Sequence, residues 1–174
     1  ECNICYNRDL KIKRTSVDMV SRLFARLPRK VVTRYLGGEP TLHPHFFSFI
    51  ELSRKYGNFT TMSSNGIRYA DEEFVKKLSE PMYNNKGCAY SITLNGGMEA
   101  SHEAYTLIDN DPTVGSTKIA ALHNLIRQGI KNIVLTAIIV RGLNEDVIGE
   151  LYRLSCEHKN ITALKFRSVG MNLG

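Results

Sequence analysis

The sequence predicts an α/β protein built on a parallel sheet, and three observations carry that expectation. Short β-rich runs alternate with single amphipathic helical runs, which implies right-handed crossovers between parallel strands. The run from Ile133 to Val140 is almost continuously apolar, as in a strand covered on both faces. Turn residues gather after the strands, at Gly37-Gly38-Glu39, Ser64-Asn65-Gly66, Asn95-Gly96-Gly97 and Arg141-Gly142. Ligands of parallel α/β architectures bind at the carboxyl ends of strands, so these polar tips are expected to share one face.

Thr15, Ser16 and Asp18 provide a cap for a first helix, with Val17, Val20, Phe24 and Leu27 at helical spacing before Pro28. A strand over Val31 to Leu36 follows. Pro44 then opens a helix with Phe46, Phe47, Ile50 and Leu52 inward, ending near Gly57. Phe59 to Ser63 is the next strand, and Asp71 caps a helix carrying Phe74, Val75 and Leu78. In Cys88 to Leu94, Ala89, Ser91 and Thr93 alternate with Tyr90, Ile92 and Leu94. A polar connection with a short helix near His102 leads to a helix from Ser116 with Ile119, Leu122 and Ile126, stopped at Gly129. After the strand ending at Val140, Asn144-Glu145-Asp146 starts a helix striped by Val147, Ile148, Leu151 and Leu154, and Ile161 to Phe166 is a last strand.

At 174 residues the chain is one domain's worth, expected to be a piece of a longer protein because it opens at Glu1 without a methionine. No run is long and apolar enough to span a bilayer. The net charge of +6 points to an anionic partner, but the basic residues are dispersed, which disfavours nucleic acid; the run from Arg8 to Arg14 reads as a solvated loop. The four cysteines are irregularly spaced, unlike a secreted disulfide framework, so a reducing cytoplasm is expected. Cys88 and Cys156 read as small buried residues. His43 and His45 read as solvated or capping groups.

Two short motifs carry chemistry. Gly37-Gly38-Glu39-Pro40 sits where a strand ends: glycines let the backbone approach a ligand, Glu39 can accept from an ammonium group, and Pro40 fixes the turn. Cys2-Asn3-Ile4-Cys5 has the spacing that lets two thiolates share one metal or cluster. A structural zinc site would want a second such pair, a redox dithiol would want to open a helix after a strand, and an iron-sulfur cluster needs further cysteines. Spacing alone leaves these readings open, including that of a zinc or redox α/β binding module.

Together the motifs resemble those of the radical S-adenosylmethionine (radical SAM) enzymes, which carry Cys-x-x-x-Cys-x-x-Cys after the first barrel strand and Gly-Gly-Glu-Pro after the second. Cys2 and Cys5 match the second and third cysteines, and the first would lie ahead of Glu1. The resemblance continues through Ser64-Asn65-Gly66, the strand end from Ser91 to Gly97 and Val140 to Asp146. Ile4 stands where the family has an aromatic residue, and Asn95-Gly96 where it often has Asp-Gly. The branch most similar is that of tetraether lipid synthases and pterin methylases.

The resemblance implies a partial (β/α)6 TIM-type barrel and a single radical SAM core domain over 1–174, continuing past both chain ends. It implies a [4Fe-4S] cluster on Cys2 and Cys5, and S-adenosylmethionine held by Gly37, Gly38, Glu39 and Pro40. Asn65, Ser91 or Asn95 would meet the ribose and Arg141 the carboxylate, while Asn65 and Asn95 read equally well as left-handed turn residues. The implied activity is reductive cleavage to a 5'-deoxyadenosyl radical, with an electron donor such as ferredoxin or flavodoxin. A peptide maturase or an RNA-modifying enzyme of another branch is the alternative.

Overall fold

The computed structural model describes Asn3 and residues 14–28 and 31–168. Cys2 and Cys5 lie outside the described residues, as does the basic run from Arg8 to Lys13. Five strands form one sheet in the order of the sequence: β1 (Val32–Tyr35), β2 (Phe59–Met62), β3 (Cys88–Thr93), β4 (Ile133–Ile139) and β5 (Ile161–Ser168). Every neighbouring pair is parallel. The helices are α1 (Val17–Phe24), α2 (Phe46–Lys55), α3 (Glu72–Leu78), α4 (Glu103–Leu107), α5 (Val114–Arg127) and α6 (Val147–Glu157).

The expected α/β architecture is therefore present, and its curvature is that of a barrel. Arg34 on β1 and Lys165 and Arg167 on β5 line the same cavity, although β1 and β5 are opposite edges of the sheet. A flat sheet holds its edge strands too far apart for this, since four spacings of about 4.8 Å separate them. The sheet must curl towards closure. Five of the six strands of the expected barrel stand among the described residues.

Each strand turns one set of side chains to the helices and the other to the lumen. Cys88, Tyr90, Ile92, Ile133, Leu135 and Ala137 join Ile50, Val75, Leu78, Leu122, Leu125 and Leu151 in the main core. At about 1.5–3 kcal/mol per fully buried large apolar side chain, this layer is the chief source of stability. The alternate residues Thr61, Ala89, Ser91, Thr93, Val134 and Thr136 face the cavity and are small. The apolar run of β4 thus covers one face only: Ile133, Leu135 and Ala137 are buried, and the intervening residues are half-buried against the lumen.

Local signals place most helices. Ser16 accepts from the Met19 amide at the start of α1, and Asp71 accepts from the Phe74 amide at the start of α3. Leu27 is 40% exposed because α1 ends at Phe24, before the spacing could bring it inward. On α2 the buried face includes Phe49, which packs with Val20 and Phe24 of α1 and stacks on Tyr35 at 5.5 Å. α5 begins at Val114, two residues before the expected Ser116, and buries Val114, Lys118, Ala121, Leu122 and Leu125. The expected stripe is displaced because it excluded a lysine that is in fact buried. Cys88 is buried as expected, but Cys156 is exposed. It lies two residues past Leu154, more than half a turn from the buried stripe of α6.

Gly115 sits where α5 meets the preceding connection, and a Cβ there would run into the Ala100 carbonyl and the Tyr105 ring. Helix propensity alone favours alanine over glycine by about 1 kcal/mol. The clash should reverse the sign, so Gly115→Ala is expected to lose about 1–3 kcal/mol in urea unfolding. A more stable variant would contradict this packing.

Candidate active site

The small lumen side chains leave a cavity of about 510 Å³ at the carboxyl end of the sheet. Its size falls within the range of about 300–1,000 Å³ usual for small-molecule sites. Three of the four polar tips reach it: Gly37, Gly38 and Glu39 after β1, Ser63, Ser64 and Asn65 after β2, and Asn95 after β3. The fourth does not. Arg141 is exposed and outside the cavity wall, and Glu145 accepts from the Gly142 amide at 2.8 Å.

Gly37 has φ +132°, a conformation that disfavours any side chain, and a Cβ at Gly37 or Gly38 would meet nothing within 4 Å. The pair presents bare backbone to open space beside the cavity. Pro40 begins a short 3-10 helix, Pro40–Leu42, that turns the chain away from it.

Glu39 is committed to the protein itself. Its Oε1 accepts from the Thr41 amide at 3.1 Å, the Thr41 hydroxyl at 2.7 Å and the Ser64 hydroxyl at 2.8 Å. Its Oε2 accepts from the Asn65 amide at 2.7 Å. The carboxylate therefore clamps the β1 tip to the β2 tip, with room left on Oε2 for one more donor. Burial raises the pKa of Tyr69 far above the ordinary phenol value, and the Glu39 charge adds to that rise.

Similar ties join the next tips. Ser91 Oγ accepts from the Ser64 amide at 3.2 Å, and Thr93 Oγ1 donates to the Ser64 carbonyl at 3.1 Å. Asn95 donates through Nδ2 to Asp109 at 3.0 Å and accepts at Oδ1 from the Ile138 amide at 2.9 Å. Asn144 does not cap α6. It is fully buried and donates to the Asn95 and Ile138 carbonyls at 2.7 and 2.9 Å. Neither Asn65 nor Asn95 takes positive φ; among described non-glycine residues only Asn110 does. The left-handed reading of these two asparagines is overturned, because Gly66 and Gly97 supply the reversal instead. Asn65 Oδ1 accepts from the Ile67 amide at 3.0 Å, which leaves Nδ2 as the remaining polar group of this cavity-lining side chain.

Sequence reasoning passed over Asp109 and Lys118. They form a buried ion pair at 2.8 Å, with side chains 7% and 1% exposed, and Asp109 lines the cavity. Removing one partner of such a pair costs about 3–5 kcal/mol. The signal was Lys118 at helical spacing with Val114, Ala121, Leu122 and Leu125. Next to Asp109, the carbonyls of Leu107 and Ile108 accept from Asn3, Leu107 from its side chain at 3.0 Å and Ile108 from its amide at 3.1 Å. These bonds dock Asn3, which stands between Cys2 and Cys5 in sequence, beside a wall of the cavity. His43 accepts at Nδ1 from the His45 amide at 3.1 Å and packs its ring on Phe49 at 4.9 Å, a turn residue rather than a ligand. Among the described residues no group of three or more His, Cys, Asp or Glu gathers to hold a metal ion.

Replacing one Glu39 oxygen with an amide would set a donor against donors. Glu39→Gln is expected to lower stability by about 1–3 kcal/mol in thermal unfolding. Unchanged stability would show that the clamp is weaker than its geometry.

The Radical SAM superfamily model matches residues 1–155. A 7,8-dihydro-6-hydroxymethylpterin dimethyltransferase from Methanocaldococcus jannaschii is 24% identical over 168 residues, covering 92% of this chain and 32% of its own length. The chain thus spans about a third of that relative. The fold is similar to a crystal structure of archaeal TYW1, with TM-score 0.50, 20% identity and coverage of 83% of this chain and 55% of the other. It is also similar to Streptococcus suis SuiB bound to S-adenosylmethionine, with TM-score 0.51, 14% identity and coverage of 99% and 48%. With the family's match running over most of its length, the chain belongs to the Radical SAM superfamily of enzymes.

Proposed function

We propose that the chain is the core of a radical SAM enzyme in which Cys2 and Cys5 ligate a [4Fe-4S] cluster and the lumen cavity holds S-adenosylmethionine. The observation that carries this is the meeting of the Gly37-Gly38 backbone, Asn65 and Ser91 on one cavity, with Asn3 docked beside it. When bound to Cys2 and Cys5, the cluster would supply the electron for reductive cleavage of the cofactor's sulfonium carbon-sulfur bond, the chemistry by which hydrogen would be taken from a substrate.

The protein's own part is positioning and exclusion of water. Gly37 and Gly38 offer backbone carbonyls and amides to the methionyl group, and the spare site on Glu39 Oε2 accepts from its ammonium. Asn65 Nδ2 and the Ser91 hydroxyl donate to ribose oxygens. Asn95 acts through structure: both ends of its amide are engaged with Asp109 and Ile138, so it holds the β3 tip in place. Arg141, exposed and away from the cavity, takes no part in this assignment.

The likeness to the pterin dimethyltransferase favours the methylase-type branch over a peptide maturase or an RNA-modifying enzyme. The electron would come from a small donor such as ferredoxin or flavodoxin in a reducing cytoplasm. Among the described residues no helix is long and apolar enough to cross a membrane.

The test is anaerobic reconstitution of the full-length protein and assay for dithionite-dependent 5'-deoxyadenosine. Product is expected from the wild type, and Gly38→Val is expected to weaken S-adenosylmethionine binding about tenfold or more by filling the backbone approach. A verified cluster without product would contradict the reading.

A further inference from the structure

The cavity wall carries more positive charge than its own carboxylates can balance. Arg34 on β1 and Lys165 and Arg167 on β5 all line it. Lys165 and Arg167 sit opposite Thr136 and Ile138 in register, on one face of the strand and about 7 Å apart along it. Of the two lining acids, Asp109 is already matched by Lys118 and Asn95. Glu39 is the remaining counter-charge, and its oxygens are turned to Thr41, Ser64 and Asn65. None of the three cations forms an ion pair among the described residues. Lys165 is half-buried, and its pKa is lowered first by that burial and then by Arg167 and Arg34, as expected of like charges facing one lumen.

The cofactor of the proposed reaction cannot supply the missing charge. S-adenosylmethionine carries one carboxylate against an ammonium and a sulfonium, so it adds net positive charge to the site. We propose, resting on that reaction, that the cavity takes a substrate bearing a phosphate or carboxylate group held by Arg34, Lys165 and Arg167. Guanidinium and ammonium donors on the two edge strands would grip such a group across the open side of the barrel through charge-assisted hydrogen bonds. This grip orients the substrate while leaving the Gly37-Gly38 side to the cofactor.

The experiment is isothermal titration of the anaerobically reconstituted full-length protein, saturated with S-adenosylmethionine, with inorganic pyrophosphate and separately with citrate at about 0.15 M salt. Saturable binding of at least one is expected, weakened about tenfold or more in Lys165→Met/Arg167→Met and in Arg34→Gln, and retained in Lys165→Arg. Tighter pyrophosphate assigns a phosphorylated substrate, and tighter citrate a carboxylated one. The proposal is overturned if neither anion binds saturably, or if folded variants bind as the wild type does. It is equally overturned if S-adenosylmethionine affinity falls in step with anion affinity, because the cations would then serve the cofactor's own carboxylate. Failure of the radical reaction would show separately, as missing 5'-deoxyadenosine with anion binding intact.

Discussion

The mouth of this barrel is held open by polar stitching between successive strand tips, and Glu39 is its first stitch. Of the four hydrogen bonds its carboxylate accepts, two from Thr41 fix the β1 tip itself and two, from Ser64 and Asn65, tie that tip to the β2 tip. Ser91 and Thr93 carry the tie to β3, and Asn95 with Asn144 carries it to β4. Backbone groups at strand ends have lost their ladder partners, and a buried group left unpaired costs about 1–3 kcal/mol. Satisfying them with side chains lets glycine-bearing loops keep a fixed shape without a packed apolar plug. The Gly37-Gly38 backbone can then stay bare.

That stitching explains how a small-residue lumen survives. A closed parallel barrel usually fills its interior with branched side chains. Here Ala89, Ser91, Thr93, Thr61 and Thr136 occupy the inward positions, and the missing volume appears as the cavity. Stability comes from the other face, where Tyr90, Ile92, Leu135 and their neighbours pack against the helices. The same alternation that builds the core therefore builds the site. The buried Lys118–Asp109 pair stands where the cavity wall meets α5, and Asn3 bonds to the residues just before Asp109. One short segment, 107–109, thus touches both Asn3 and the cavity.

Much of this was legible in the sequence. The strand-helix alternation, the caps at Ser16 and Asp71, and three of four polar tips on one face follow from local pattern. The inward set Ala89, Ser91 and Thr93 follows from period two. What was hidden depends on partners distant in the chain. Glu39 reads as a wholly available acceptor until Ser64 and Asn65 are seen to take up much of its carboxylate, leaving room on Oε2 alone, and Asn95 reads as a turn residue until Asp109 and Ile138 hold its amide. Lys118 breaks the apolar stripe of α5 because its counter-ion lies on another element, and that displaced the expected buried face. Arg141 sits beside a glycine after a strand, as the other tips do, yet it is exposed and outside the cavity wall.

The proposed chemistry depends on Cys2 and Cys5 and the glycine cradle meeting at one mouth of the barrel. An anaerobic crystal structure of the full-length protein with S-adenosylmethionine measures this directly. It should show a cluster on Cys2 and Cys5 at the carboxyl end of the sheet, with the methionyl group of the cofactor against Gly37 and Gly38. A cluster at the opposite end of the barrel, or a cofactor bound outside the lumen, would contradict it.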